Sequence, residues 1–236
     1  MNIVNSIKNN IPNAITSLNL LCGTLATVAA FDCFDDALWG LQGYQLAFLL
    51  IALGAVCDFL DGLVARLLHA VSGIGKELDS LSDLVTFGLA PAMVLYNMMR
   101  AAYPDSLLAF AAMLLPVFGA LRLARFNVDT NQSTTFTGLP IPANAIFWIG
   151  YTAWLATHHT ISPWVSAVCA AALSLLMVCN LRMFSLKLHN FSLRENWAQF
   201  LLIIGAIACI ATMGLPGLAV TIALYIVLST AKTENK

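Results

Sequence analysis

Residues 58–83, DFLDGLVARLLHAVSGIGKELDSLSD, carry four aspartates within an otherwise strongly apolar part of the chain. The small and acidic residues of this stretch form two sets that each share a helix face: Asp58, Asp61 and Ala65 at i, i+3 and i+7, and Gly75, Asp79 and Asp83 at i, i+4 and i+8. Between them, residues 67–74 predict a turn. The stretch therefore predicts a helical hairpin whose two acidic faces meet near one end.

Four carboxylates that converge in a low-dielectric setting repel one another, and acidic residues inside apolar helices are costly and rare. Divalent cations remove this conflict. Because the predicted ligands are all oxygens, Mg²⁺ or Mn²⁺ is favoured over Zn²⁺. We predict a site for two divalent cations, bridged by shared carboxylates into a clamp for phosphoryl oxygens. Its ligands are Asp58, Asp61, Asp79 and Asp83.

Small residues and one cation accompany the carboxylates. Gly62, Ala65 and Gly75 would let a nucleotide or pyrophosphate approach the backbone closely, and Arg66 could neutralise a phosphate oxygen. Asn13, Thr16 and Asn19, which lie at three-residue intervals on the first predicted span, are further candidates to face the nucleotide. The alternative interpretations are structural or ion-coupled: small and polar residues pack and bridge membrane helices, and buried acids serve proton relays and cation-coupled transporters.

Composition places the chain in lipid. Of 236 residues, 60% are apolar and 10% charged, the net charge is −1, and the mean hydropathy is +0.83. Soluble domains carry about 25% charged residues, so this chain has too little polar surface for a water-soluble globule. These values exclude a disordered chain and a nucleic-acid binder steered by positive charge. We expect no nucleic-acid partner.

Eight apolar runs predict an all-α, polytopic membrane helix bundle that forms one integral membrane domain over residues 1–236. The runs cover residues 14–31, 45–68, 76–99, 106–126, 142–158, 163–180, 197–213 and 215–231. Ahead of them, Ile3, Ile7 and Ile11 recur at i, i+4 and i+8. This spacing predicts an amphipathic helix over residues 1–12 that lies on the membrane surface.

Basic residues predict the orientation. If the N-terminus is cytoplasmic and the eight runs alternate, ten cations lie on the cytoplasmic side and only Arg100 lies outside, as the positive-inside rule requires. The ten are Lys8, Arg66, Lys76, Arg122, Arg125, Arg182, Lys187, Arg194, Lys232 and Lys236. Because the chain is compact and shows no targeting extension, we expect it in a cytoplasmic (inner) membrane, with both termini and the active site facing the cytoplasm.

The spacing D58-x2-D61-G62-x2-A65-R66-x8-G75-x3-D79-x3-D83 resembles the signature of the CDP-alcohol phosphotransferase family at every position. The resemblance implies a membrane enzyme that displaces CMP from a CDP-linked lipid with an alcohol. It implies a six-helix core over residues 13–180 and an additional helical pair over 197–231. One ion would be held by Asp58, Asp61 and Asp79 and the other by Asp58, Asp79 and Asp83. Asp83 would also be the base for the incoming hydroxyl.

Two further segments, residues 119–127 (GALRLARFN) and 136–144 (FTGLPIPAN), together with residues 12–23, resemble the phosphatidylserine synthase branch of that family. The substrates implied are CDP-diacylglycerol and L-serine. Arg122 and Arg125 lie three apart on one helix face, and an arginine binds a carboxylate through two parallel hydrogen bonds. Asn127 is a candidate partner for the serine ammonium.

Other functions stay open on the sequence. The same chemistry could use glycerol 3-phosphate or an inositol phosphate as the acceptor, because a phosphate would suit the same arginines. A prenyltransferase would need two Asp-rich motifs far apart, whereas these four aspartates occupy 26 residues. A cation-coupled transporter would need interrupted helices and an inverted repeat. A homodimer is compatible with exposed small residues on membrane helices.

Overall fold

The computed structural model describes residues 3–70, 72–128, 136–158, 162–184 and 196–234. Within these ranges the helices are α1 (Ile3–Ala29), α2 (Gly43–Leu67), α3 (Gly73–Asp83), α4 (Ala90–Ala102), α5 (Leu114–Val128), α6 (Ile141–Thr157), α7 (Pro163–Val178), α8 (Trp197–Met213) and α9 (Gly217–Glu234). Short 3-10 segments cover Ala30–Asp32 and Leu107–Met113, and a π-helical turn covers Leu84–Leu89. The strands are β1 (Asp36–Leu38), β2 (Leu41–Gln42), β3 (Phe136–Thr137) and β4 (Arg182–Met183). The chain divides into two compact units, Met1–Asn97 and Met98–Lys236.

The first unit is built on α1, which packs along α2 and also against α3 and the π-helical turn. Small and branched side chains, among them Ala26, Ala47 and Ile51, are buried in this unit. Because such residues let helix backbones approach closely in a membrane, α1 can bring its polar side chains against the acidic hairpin. The antiparallel pair β1–β2 lies in the connection between α1 and α2.

The turn expected between the two acidic helices lies between the end of α2 and the start of α3. After α2 ends at Leu67, His69 takes a positive φ of 51° and donates its backbone N–H to the Arg66 carbonyl at 3.2 Å. Ser72 then caps α3, since its Oγ accepts a hydrogen bond from the Gly75 backbone N–H at 3.0 Å. These local interactions reverse the chain and place α2 and α3 so that their acidic faces meet.

The second acidic helix continues without a break. From α3 the chain passes through the π-helical turn into α4, which gives one apolar helix over Gly73–Ala102. Asp83 is the last residue of α3 before this turn. π-helical turns inside α-helices occur frequently at functional sites, because the inserted residue changes the phase of the helix face.

The second unit has its own core. Here α5 packs on α7, α6 packs on α9, and α8 pairs with α9. Leu115, Trp148 and Met177 are among its fully buried side chains. The strands β3 and β4 pair antiparallel and join the segment before α6 to the segment after α7.

The helices confirm an all-α bundle of membrane type. Four stretches are long and apolar enough to cross a membrane: Asn10–Asp32, Gly43–Leu67, Gly73–Ala102 and Leu107–Val128. Three shorter apolar helices follow at Pro163–Val178, Trp197–Met213 and Gly217–Ala231. Large apolar side chains stand exposed on them, as Phe59 and Ile207 do at 65% each, which fits surfaces solvated by lipid. The count of eight spans stays a prediction, and Lys187, Arg194 and Lys236 of the orientation count lie outside the described residues.

The N-terminal helix differs in extent from the sequence expectation. α1 runs through Pro12 without interruption, so the segment expected as a separate helix over residues 1–12 continues directly into the first long apolar helix. The Thr16 hydroxyl donates to the Pro12 carbonyl at 3.0 Å, one turn along the same helix. Placement of the segment on the membrane surface stays a prediction.

Candidate active site

The carboxylates of α2 and α3 converge. One oxygen each from Asp58, Asp61 and Asp79 lies within 4.8 Å of the other two, with Asp61 buried and its two neighbours half-buried. At this separation, repulsion between two ionised carboxylates amounts to about 3 kcal/mol per pair at an effective dielectric constant of 20. Three such pairs would cost a large part of the free energy of unfolding of an ordinary domain. A positive charge bound at the cluster would offset this repulsion.

The chemistry of these side chains fits a divalent cation. The Asp61 carboxyl is contacted by the Thr16 hydroxyl and the Gly62 backbone, but its buried Oδ2 has no hydrogen-bond partner within the described part of the chain. A buried carboxylate oxygen without a partner is costly. Three carboxylates with one orphaned oxygen suit a hard cation such as Mg²⁺ or Mn²⁺, which prefers oxygen ligands.

Asp83 lies beside this triad, one turn beyond Asp79. Asp58 is within hydrogen-bonding reach of both Asp79 and Asp83, so it stands between the two aspartates of α3. Asp83 also accepts a hydrogen bond at Oδ1 from Asn19 Nδ2 of α1, at 3.5 Å. All four predicted aspartates are therefore brought together, with Asp58 shared between the triad and Asp83.

A cavity of about 240 Å³ opens beside the carboxylates. Six of the seven residues predicted to contact a nucleotide or pyrophosphate line it, and Asn19 does not belong to its lining. The six are Asn13, Thr16, Gly62, Ala65, Arg66 and Gly75. Asp61 and Asp79 reach the same cavity, and Lys76 and Ser72 also contribute to its wall. A concave site lined by both carboxylates and cations can hold a metal-bound, phosphorylated ligand.

The wall of this cavity is tight at Gly75. A Cβ atom added there would lie 2.9 Å from Asn13 Oδ1 and 3.0 Å from Ser72 Oγ, whereas one added at Gly73 would have no described atom within 4 Å. If the nucleotide lipid that the family resemblance implies binds in this cavity, Gly75→Ala should raise its KM about 5- to 10-fold, because the new methyl displaces a cavity-lining side chain.

Gly73→Ala is the matched control on the same helix and should leave this KM unchanged. Steady-state kinetics of the two variants provides the test. Equal values for Gly75→Ala and Gly73→Ala would show that the cavity wall at Gly75 does not contact the nucleotide lipid.

Several polar residues near the site were missed by sequence reasoning. Ser82 Oγ shares its proton between the Leu78 carbonyl of its own helix at 2.8 Å and the Thr16 carbonyl at 3.2 Å, and Thr86 Oγ1 donates to the Asn19 carbonyl at 3.0 Å. Both donors are fully buried and lie on either side of Asp83. Serine and threonine inside an apolar helix are a weak signal, since they usually bond to their own helix. Ser82 lies one residue before Asp83 and Thr86 three residues after it, and this proximity was the sequence signal that could have identified them.

The residues predicted to bind the acceptor lie in the second unit. Arg122 and Arg125, on α5, line a cavity of about 560 Å³ together with Thr137 and the carboxyl end of α7. Arg125 donates from Nη1 to the Val178 carbonyl at 2.8 Å, where a cation also interacts favourably with the helix dipole. Asn127 follows on the same helix, but it does not belong to the described lining of this cavity.

These features define a class of protein: a helix bundle of membrane type in which a cluster of carboxylates that could hold a divalent cation lies beside a cavity of about 240 Å³. A family model described as CDP-alcohol phosphatidyltransferase matches residues 9–176. The chain belongs to this family, which depends on divalent cations. The match covers α1 to α7 and ends before α8 and α9.

Individual relatives share most of the chain. It is 35% identical over 181 residues to the CDP-diacylglycerol–serine O-phosphatidyltransferase of Bacillus subtilis, which covers 77% of this chain and 93% of the relative. Proteins of the same name from Mycobacterium tuberculosis and Methanocaldococcus jannaschii are 34% and 32% identical. These alignments cover 89% and 91% of this chain, and 72% and 89% of the two relatives.

Proposed function

We propose that this protein transfers the phosphatidyl group of CDP-diacylglycerol to the hydroxyl of L-serine, which yields phosphatidylserine and CMP. The observation that carries the proposal is the cluster of four aspartates beside a cation-lined cavity, in a chain similar over most of its length to proteins named for this reaction. In this reaction the serine Oγ forms a bond to the phosphorus on the lipid side of the pyrophosphate. The bond from that phosphorus to the bridging oxygen breaks, and CMP leaves.

Two divalent cations, Mg²⁺ or Mn²⁺, would be held by the acidic hairpin. Asp58, Asp61 and Asp79 would bind one, and Asp58, Asp79 and Asp83 the other. When bound, such ions stabilise the negative charge that develops on phosphoryl oxygens and on the departing nucleotide. The shared position of Asp58, within reach of both α3 aspartates, supports its assignment to both sites.

Asp83 is the proposed general base. A serine hydroxyl is a poor nucleophile at neutral pH, so a carboxylate must accept its proton as the Oγ attacks. Asp83 is the one member of the cluster that lies outside the tight triad and is held from α1. It can therefore keep one oxygen for the proton, which a carboxylate fully engaged with metal ions cannot do.

The cavity of about 240 Å³ is the proposed site of the CDP moiety. Arg66 would neutralise a phosphate oxygen, and Gly62, Ala65 and Gly75 would let the pyrophosphate approach the helix backbones. Asn13 and Thr16 of α1 would face the nucleotide from the opposite wall. This assignment is supported by the shared lining of one cavity by these six residues and two of the aspartates.

The cavity that Arg122 and Arg125 line is the proposed acceptor site. Arg122 is half-buried there, so its guanidinium can bind the serine carboxylate through a fork of two hydrogen bonds. Arg125 adds positive charge while it contacts the end of α7. Asn127 would approach the serine ammonium from the end of α5.

Replacing Arg122 tests this site. We expect Arg122→Ala to lower kcat/KM for L-serine about 10- to 100-fold, the value of a lost charge-assisted hydrogen bond, while the KM for CDP-diacylglycerol is retained. Arg122→Lys should recover only part of the loss because an ammonium lacks the planar fork. Arg100→Ala, at the end of α4, is the control and should behave as wild type. An unchanged kcat/KM for serine in Arg122→Ala would remove this residue from the acceptor site.

The choice of acceptor is tested by product analysis. Purified protein is incubated with CDP-diacylglycerol and, in separate reactions, labelled L-serine, glycerol 3-phosphate, inositol and inositol phosphate, each with Mg²⁺ or Mn²⁺. We expect CMP release and a labelled phospholipid with serine alone. A labelled lipid from another acceptor would reassign the substrate, and cation uptake into proteoliposomes without CMP release would indicate a transporter.

The proposed membrane arrangement follows the cation distribution. Arg66, Lys76 and Arg125 lie in the first or last turn of a helix, and Arg182 lies in β4 between α7 and α8. This distribution supports a cytoplasmic location for those ends in an inner membrane. Both termini and the active site would face the cytoplasm. Residues 1–12 would lie at the membrane surface, residues 13–180 would form the catalytic core, and residues 197–231 would add a helical pair. Two copies of the chain could associate as a homodimer.

A further inference from the structure

The amide of Asn19 reaches the proposed catalytic base from a different helix. Asn19 lies on α1 and is fully buried, and its Nδ2 donates to Asp83 Oδ1 at 3.5 Å across a sequence separation of 64 residues. The contact is long for a hydrogen bond between an amide and a carboxylate. It is nevertheless directed at one oxygen of Asp83 and leaves the other for different partners.

Two buried hydroxyls fix α1 at this level. Thr86, three residues after Asp83, donates to the Asn19 carbonyl at 3.0 Å, and Ser82, one residue before it, shares its hydroxyl proton between the Thr16 carbonyl at 3.2 Å and the Leu78 carbonyl of its own helix at 2.8 Å. The two bonds to α1 bracket both the aspartate on one helix and the asparagine on the other. They hold α1 in register with the helix that carries Asp83, so that the amide faces the carboxylate.

Close packing prevents the amide from moving away. A Cβ atom at Gly54 of α2 would lie 2.9 Å from Asn19 Oδ1, and one at Gly23 of α1 would lie 2.3 Å from Thr86 Oγ1. Larger residues at either position would collide with this pair. Because Gly23 and Gly54 have no side chain, the Asn19 and Thr86 side chains fit between the helices in the conformations seen here.

The other end of the amide is not satisfied. Asn19 Oδ1 is buried and lacks a hydrogen-bond donor among the described residues. A leucine of similar size would avoid this cost in an apolar helix, since a buried acceptor without a partner is unfavourable. The advantage of an asparagine at this position must therefore come from the hydrogen bond that its Nδ2 donates to Asp83.

We infer that Asn19 is a positioning residue for Asp83, one that holds Oδ1 of the carboxylate and leaves the second oxygen to take the proton of the attacking hydroxyl. The inference rests on the proposed function. In this scheme, the hydrogen bonds that Ser82 and Thr86 donate to the carbonyls of α1 hold Asn19 in place. Asn19 does not touch the substrate in this scheme and acts through the orientation of Asp83.

The test compares Asn19→Leu with Ser17→Ala in the full-length protein. Ser17 lies on the same helix, is exposed, and bonds only to the Asn13 carbonyl among the contacts seen for its hydroxyl. We expect Asn19→Leu to lower kcat with serine about 10- to 100-fold, the usual effect of a misplaced catalytic group, with the KM for CDP-diacylglycerol unchanged. Ser17→Ala should match wild type.

A double-mutant cycle separates positioning from packing. If Asn19 acts through Asp83, adding Asn19→Leu to Asp83→Asn should change the residual single-turnover rate by less than about twofold, because the two changes then remove the same function. A structural role would instead lower the residual rate of the double variant by the same factor as in the single variant. That additive result, or a wild-type kcat in Asn19→Leu, would overturn the inference.

Thr86→Val supports the test if Asn19→Leu does not accumulate in folded form, as judged by gel filtration and thermal unfolding. It keeps the side-chain shape and deletes the donor to the Asn19 carbonyl, so kcat should fall about 3- to 10-fold at constant KM. An unchanged kcat in folded Thr86→Val would then overturn the inference. Failure of the wild type to release CMP with serine would instead contradict the proposed function, so the two failures are distinguishable.

Discussion

Asp58→Asn should lower the turnover number at least about a thousandfold, because it removes one of the two carboxylates, Asp58 and Asp79, that are common to both proposed cation sites. Asp58 contributes an oxygen to the tight triad and also reaches Asp83. Asp79, the other aspartate assigned to both sites, belongs to the same triad. Asparagine keeps the shape and one acceptor oxygen but not the charge, so the variant should fold and still fail to hold the ions.

The matched control is Asp36→Asn, at the first residue of β1. It makes the same chemical change away from the acidic hairpin and should retain wild-type turnover. The measurement is CMP release from CDP-diacylglycerol with serine at saturating Mn²⁺ or Mg²⁺. If Asp58→Asn kept more than about a tenth of the wild-type rate, the assignment of a shared metal ligand would be wrong, because loss of even one stabilising group in a transition state costs more than this.

Asp83→Asn should abolish turnover while nucleotide binding largely survives. The triad of Asp58, Asp61 and Asp79 and the cavity beside it remain intact in this variant, so CDP should bind with an affinity close to that of the wild type. What is lost is the oxygen that accepts the serine proton. Equilibrium binding of CDP in the presence of Mn²⁺, together with single-turnover CMP release, separates the two effects.

The contrast with Asp58→Asn is the informative part of this prediction. Removing Asp58 should impair both binding and turnover, whereas removing Asp83 should impair turnover alone. Retained turnover in Asp83→Asn would exclude Asp83 as the base. Equal loss of CDP binding in both variants would indicate that Asp83 serves mainly as a metal ligand.

The convergence of the aspartates was predictable because it depends on short-range geometry. Asp58 and Asp61 are a helical turn apart, as are Asp79 and Asp83, and the helical period puts each pair on one face. The turn was equally local, since Ser72 and the glycines around it signal a helix start. Once two acidic faces are joined by a five-residue turn, their meeting follows from chain connectivity.

The contribution of α1 was only partly predictable. The spacing of Asn13 and Thr16 indicated a polar face, and the structure places both beside the acidic hairpin. The contacts of Asn19 with Asp83 and of Thr86 with the Asn19 carbonyl join residues 64 and 67 positions apart. No periodicity within one helix specifies which turn of a distant helix it will meet, because that register is set by packing between side chains.

The positions of the helices were also more predictable from the sequence than the residues at which they begin and end. Apolar composition predicted helices at each marked run, but α1 continues through Pro12 and the second acidic helix continues through a π-helical turn. Proline and π turns perturb one or two backbone hydrogen bonds, and packing against neighbouring helices can outweigh that loss. Local sequence signals therefore located the helices better than they located their ends.

The most direct test of the central claim, that the α2–α3 hairpin binds catalytic divalent cations, is titration of the purified protein with Mn²⁺ followed by electron paramagnetic resonance in the presence of CDP. We predict saturable binding in the wild type and in Asp36→Asn, and binding weakened at least about tenfold in Asp58→Asn. Equal Mn²⁺ affinity in all three proteins would contradict the account, because the bound ions would then lie somewhere other than between these carboxylates.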